Sequence, residues 1–349
     1  MTTSDSEGVF PGSDWEARAL QDLGFDSSRL EQARRQIDEG AGTGPYRVVV
    51  VRGGFLAAEW NRGMRSDDRQ GQASASKSYF SCLLGIAEAD GMIPSADAKV
   101  VDVYPEMMEV GENQGPKPGR HAFDKDRDIT FRQLICNTSG YMKPGEAPGT
   151  VFHYQTFGMN ILTNSLATAY GLYDSGDPQR LPGANQLLAA KIRDPIGGDW
   201  EHSYSDFEHP PGARKGIFGH SSRVVATARE TARAGWLWRH GGRWRDEQVV
   251  PEAYLRQATR TNDDILAHEP EENWHYGHGF WTNDHGKLWP DLPRDSFAAR
   301  GAGAKLIWVC PSLDLVVTQN PGTWEDVGMP VEKNRLIGEE LAAIIEALR

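Results

Sequence analysis

The chain has 349 residues, 39% of them hydrophobic and 25% charged, and carries a net charge of −12 at pH 7. That length supports one large domain or two, with a substantial core. The acidic balance has no block of Lys and Arg, which argues against nucleic-acid and anionic-membrane partners. No stretch approaches the roughly 20 apolar residues of a membrane span. The first 30 residues are polar and acidic, without the basic-then-apolar pattern of a secretory signal. Cys82, Cys136 and Cys310 lie far apart with no metal or redox spacing. They are expected to be reduced and buried, in a cytoplasmic protein.

In chain order, residues 1–14 are rich in Ser, Gly and Asp and are expected to be loosely ordered. From 27 to 40, Leu30, Ala33 and Ile37 recur at helical spacing behind two serines, predicting an amphipathic helix with a serine cap. Apolar runs at 46–52 and 55–60 flank Gly53-Gly54, the signature of a β-hairpin. After a polar connection, the run from Tyr79 to Ala87 predicts a buried helix over 75–90, closed by Gly91. Residues 94–128 read as loop, and Thr130 caps a short helix beyond them. A Pro/Gly-rich loop leads to Phe152 and then to a helix over about 159–170. Further helices are predicted over 187–193, 222–239 and 251–259, with 195–219 as loop. Strands return at 276–281, 296–301, 305–310 and 315–318, and a final helix runs from about 331 to 348.

Strands at both ends and helices between them predict an α+β fold. Segments 1–74 and 276–349 would form an antiparallel sheet flanked by the terminal helices. Residues 75–275 would form a mostly helical inserted subdomain, with the site in the cleft between the two.

The chemistry centres on Ser74 and Lys77. Residues three apart share a helix face, so the lysine amine reaches the serine hydroxyl. A serine needs a neighbouring base, and an apolar helix lowers the pKa of a lysine towards the useful range. The helix N-terminus offers free N–H groups beside the serine. Tyr154 stands in a short polar stretch before a helix; near a cationic lysine its phenol pKa should fall, making it a candidate acid–base group. In Arg300-Gly301-Ala302-Gly303 the small residues let a carbonyl approach the backbone, so the Ala302 N–H is a candidate oxyanion donor. His275 and His278 lack a third metal ligand, and no metal or other cofactor is expected. Gly219-His-Ser-Ser-Arg223 lacks the second glycine of a hydrolase elbow, which disfavours Ser221 as nucleophile. Trp200, Trp236, Trp238, Trp274 and Trp281 are candidates for an apolar acyl pocket, against the alternative of core packing.

Taken together, these segments resemble the serine β-lactamase and penicillin-binding-protein superfamily, in particular its class C-like hydrolases. Those include carboxylesterases, D-aminopeptidases and 6-aminohexanoate-dimer hydrolases. Ile129-Thr-Phe-Arg-Gln-Leu-Ile-Cys-Asn-Thr-Ser-Gly140 is similar to that family's Ile-Thr-x-x-x-Leu-Leu-x-His-Thr-Ser-Gly segment. Gly235-Trp-Leu-Trp-x-x-Gly-Gly-Arg-Trp244, Tyr276-Gly-His-Gly-Phe-Trp281 and Pro311-Ser-Leu-Asp-Leu-Val-Val317 also look like its segments, so the resemblance spans about 45 to 349. It implies Ser74 as the acylated nucleophile, Lys77 as its partner, Tyr154 as general base, and an oxyanion hole from the Ser74 and Ala302 N–H groups. Thr156, Arg300, Gly301, Gly303 and Trp281 would contact substrate.

Two departures bear on substrate. Tyr154-Gln-Thr156 stands where β-lactamases carry Tyr-x-Asn, and Ala299-Arg300-Gly301 stands where they carry Lys-Thr-Gly. Loss of the lysine that would bind a β-lactam carboxylate favours a small ester, or a linear amide, as substrate. An acyltransferase and a non-catalytic binding protein are the rivals from other classes. A monomer or homodimer is expected.

Overall fold

The computed structural model describes residues 8–115, 117–205, 215–219 and 221–349. Its helices are α1 (Ser27–Gly40), α2 (Ser76–Ala89), α3 (Phe131–Ile135), α4 (Phe157–Ala169), α5 (Gly183–Leu188), α6 (Ala228–Arg239), α7 (Glu252–Ala258), α8 (Asp263–His268) and α9 (Pro330–Glu346). Its strands are β1 (Tyr46–Arg52), β2 (Phe55–Arg62), β3 (Gln70–Gly71), β4 (Glu201–Ser205), β5 (Ser221–Ala226), β6 (Arg243–Trp244), β7 (Glu247–Gln248), β8 (Trp281–Thr282), β9 (Phe297–Gly301), β10 (Lys305–Cys310) and β11 (Leu315–Gln319).

One six-stranded antiparallel sheet dominates, in the order β2-β1-β11-β10-β9-β8. Gly53 and Gly54 join its first hairpin with φ of 60° and 84°, the left-handed pair that a two-residue turn demands. The central strands are buried almost from end to end because both faces are covered. Val48, Val50, Leu306, Trp308 and Val317 face α1 and α9 in one core. Val49, Val51, Ile307, Val309 and Val316 belong to the other, which includes α2, α4 and α6. Helix α6 lies directly on the sheet, and a Cβ at Gly235 would stand 2.7 Å from Val316 and 2.9 Å from Ile307.

Several local expectations change. The cap of α1 is Asp26, whose carboxylate accepts from the Ser28 and Arg29 N–H groups, one step before the serines. Residues 8–14 are tied down, since Trp236 donates to the Val9 carbonyl and Arg233 to that of Gly12. Residues 222–226, expected to open a helix, belong to β5 instead. The β-branched pair Val224-Val225 suits a strand, and Thr227 caps α6 by accepting from the Glu230 N–H. Between 276 and 281 a tight turn replaces most of the expected strand. The three cysteines are free and buried. No helix among the described residues is long and apolar enough to cross a membrane.

Beneath α9, Glu340 is buried and accepts from Gln319 Nε2 at 2.6 Å and from the Thr323 hydroxyl. Burial pushes its carboxyl up to about 7, against those two bonds. Between an ordinary glutamate value and 7, the folded chain holds a proton that the unfolded chain releases. Stability therefore falls as pH rises through that window, by about 3 kcal/mol once complete. Glu340→Gln keeps the shape without the charge, its amide oxygen accepting from Gln319 Nε2 and its NH2 donating to the Thr323 hydroxyl. Its melting temperature should exceed that of wild type at pH 8 and match it at pH 5, in paired thermal scans.

Candidate active site

Ser74 sits in the single turn Ala73–Ala75 that leads from β3 into α2. The backbone reaches it through Ala73 at φ 47°, a left-handed conformation that an L-alanine adopts only under constraint. Ala75 N–H closes the turn on the Gln72 carbonyl. Residues Ser76–Ala87 of α2 are all buried, so Lys77 is 3% exposed although charged in type. Its Nζ lies 2.7 Å from Ser74 Oγ. Burial alone lowers its pKa, to about 8.

Tyr154 is delivered by a different element. Asn137, at φ 59°, accepts from the His153 N–H at its carbonyl and from the Gln155 N–H at its side chain. It thereby holds both neighbours of Tyr154, and its own side chain donates to the Tyr276 hydroxyl. The Tyr154 ring stands 4.7 Å from Lys77 Nζ and packs on Tyr276 and Trp281. The expected lowering of its phenol pKa is reversed. Burial raises it, and the hydrogen bond to Ser74 and the charge of Arg300 only partly offset this. Near neutral pH a phenol raised in this way can donate a proton, whereas an amine near pKa 8 can accept one.

The end of β9 closes the site. A Cβ at Gly301 would meet the Gln72 carbonyl at 2.3 Å and the Ser74 nitrogen at 3.1 Å, so this strand presses its backbone on the Ala73–Ala75 turn. Ala302 follows at the surface. Ser74, Tyr154, Trp281, Arg300, Gly301 and Ala302 all line one cavity of about 1180 Å³, with Lys77 behind Ser74. Two expected substrate contacts fall elsewhere. Thr156 caps α4 with its main-chain carbonyl and does not line the cavity. Gly303 takes the left-handed place in the β9–β10 turn, at φ 77°, and is likewise absent from the lining.

The model of the Beta-lactamase family matches residues 31–320. The chain belongs to the β-lactamase family. Solved structures of similar fold include proteins described as a β-lactamase, a hydrolase and a carboxylesterase. Among solved structures, a putative β-lactamase from Bacteroides dorei DSM 17855 is 16% identical, with a TM-score of 0.65 over 92% of this chain and 99% of that one. A putative 6-aminohexanoate-dimer hydrolase from Bacillus anthracis is 15% identical, with a TM-score of 0.64 over 98% and 91%. A family VIII carboxylesterase is 15% identical, with a TM-score of 0.62 over 98% of both chains. No curated protein matches the sequence.

Within this β-lactamase fold, the cavity wall beyond Ser74 is aromatic. Trp281, Trp289 and Trp324 surround the Arg300 guanidinium at 5.1, 5.9 and 5.5 Å, and Arg300 donates to Asn334 Oδ1. Burial lowers its pKa to about 10, which leaves it a cation at neutral pH. His275 stacks on Trp281 and lines the cavity, while His278 packs against Tyr254, so the two histidines do not converge. Trp200, Trp236 and Trp238 are core residues. Trp289, Trp324 and Asn334 escaped the sequence reading because each meets Arg300 only through the fold. Ser221 is in β5, but its side chain and all of His220 lie outside the described residues, as do residues 206–214 of the segment 195–219 expected as loop, in which Glu201–Ser205 form β4 instead.

Proposed function

We propose that the protein is a serine hydrolase that cleaves small carboxylic esters through an acyl-enzyme on Ser74. The observation that carries this reading is the 2.7 Å contact between Ser74 Oγ and the buried Lys77 amine. Neutral Lys77 takes the hydroxyl proton as Ser74 Oγ bonds to the substrate carbonyl carbon. The N–H groups of Ser74 and Ala302 hold the resulting oxyanion. As the C–O bond to the alcohol breaks, Tyr154 protonates the leaving oxygen and regains a proton from Lys77. Water then attacks the acyl carbon and gives a proton to Lys77; as the bond from that carbon to Ser74 Oγ breaks, Lys77 returns the proton to the serine oxygen and the acid leaves.

Arg300 and Trp281 form the wall that the acyl or alcohol portion meets. Ala299 occupies the place of the lysine that would bind a β-lactam carboxylate, so β-lactams are poor substrates. An ester is preferred to a linear amide because an alkoxide leaves more easily than an amine anion. Linear amides are the second reading, favoured by a phenol donor placed to protonate a leaving nitrogen.

The test is intact mass after a fluorophosphonate probe, with peptide mapping, alongside turnover of p-nitrophenyl butyrate, its p-nitroanilide counterpart and nitrocefin. One adduct on Ser74 and ester turnover at least tenfold above the other two is the expected result. An adduct on another residue ends the mechanism, and faster anilide turnover replaces the ester reading with the amide one.

A further inference from the structure

Lys305 is a lysine that the mechanism above does not use, yet it is 5% exposed. It opens β10 directly opposite Gly301 of β9. Its Nζ donates to the Gly303 carbonyl at 2.7 Å and to Gln70 Oε1 at 2.6 Å. Both hydrogen-bond acceptors are neutral, and although the Glu325 carboxylate favours the charge, burial outweighs it, so packing alone does not explain a lysine here. The two acceptors belong to the two pieces of chain that the proposed oxyanion hole joins. Gly303 follows Ala302 in the β9–β10 turn. Gln70 is in β3, four residues before Ser74, and its carbonyl also accepts from the Gln72 side chain. The Gln72 side chain reaches Asn320, which bonds the Ala226 carbonyl, so the β3 end of the link is itself fixed. On the far side of the turn, Glu325 accepts from the Ala304 N–H at 2.8 Å.

We infer that Lys305 is a positioning residue, a brace that sets the separation of the Ser74 and Ala302 N–H groups by tying the Gly303 turn to β3. This rests on the Ser74 reading above. Oxyanion stabilisation is lost when donors shift by a fraction of an ångström, since each acts only at the position of the developing charge. A brace of this kind acts on the transition state and leaves the aromatic wall that binds ground-state substrate untouched.

The experiment compares wild type, Lys305→Met and Gln70→Leu in three readouts: p-nitrophenyl butyrate kinetics, inhibition by phenylboronic acid, and thermal melting. Met keeps the length of the lysine stem without a donor, while Gln70→Leu cuts the far end with Lys305 in place. If either variant fails to fold, the other carries the test. The expected result is a fall in kcat of about 30-fold, with KM within threefold, in each variant. Phenylboronic acid, which forms a tetrahedral adduct on serine, should weaken by a similar factor. The double variant should be no worse than either single one. Turnover within threefold of wild type, or a loss confined to KM or to the folded fraction, overturns the brace. Fluorophosphonate labelling of wild type separates the two levels. Labelling at Ser74 with an active Lys305→Met rejects the brace alone, whereas an unlabelled wild type rejects the Ser74 reading and the brace with it.

Discussion

Ser74→Ala and Lys77→Met are each expected to lower kcat for p-nitrophenyl butyrate by about 10⁴-fold, and the double variant by no more than either alone. The two side chains form one unit at 2.7 Å, and a base with no nucleophile is as idle as a nucleophile with no base. Stability should move the other way for Lys77→Met. Lys77 is 3% exposed within an apolar helix, and replacing its amine by an isosteric apolar group removes a desolvation cost. A melting temperature equal to or above wild type would separate lost chemistry from lost fold. The pH dependence follows from the same burial. Only the neutral amine has a lone pair to accept the serine proton, so kcat/KM of wild type should rise with pH and level off above about 8. Lys77→Met turnover above a tenth of wild type would show that another group takes the proton.

Much of this arrangement is legible from short-range pattern. Helical spacing gives α1, α2 and α9, the Gly53-Gly54 pair gives the first hairpin, and Ser74 and Lys77 share a turn because three residues separate them. What escapes is set by contacts between distant segments. The alternation of the central strands between the two cores is invisible when both faces are buried. The strand at 221–226 exists because β3 and β4 pair with it, and its Val224-Val225 core reads equally well as one side of a helix. Asn137 stands in a motif recognised by resemblance, yet its role in holding His153 and Gln155 around Tyr154 needs the left-handed turn to be seen. The phenol pKa shows the same limit. The expected pairing with Lys77 suggests a lowering by its charge, whereas the larger effect is burial created by Tyr276, Trp281 and the rest of the wall.

Gly301→Ala carries the other large expected effect, from one methyl group. Gly301 is not in the left-handed region, so an alanine there meets no conformational barrier of its own. The obstacle is space. The added Cβ would stand 2.3 Å from the Gln72 carbonyl oxygen, 2.9 Å from the Ala75 nitrogen and 3.1 Å from the Ser74 nitrogen. All three are backbone atoms, so no side chain can swing away, and either β9 or the nucleophile turn must retreat. Relieving such a contact separates the Ser74 N–H from the Ala302 N–H. The cost in stability is that of a local overpacking, about 1–3 kcal/mol. The cost in kcat is that of a displaced oxyanion donor, about 100-fold or more. Urea titration and steady-state kinetics on the same preparation distinguish these magnitudes. A Gly301→Ala variant that folds and retains kcat within a few-fold of wild type would mean that the oxyanion is held elsewhere than between Ser74 and Ala302.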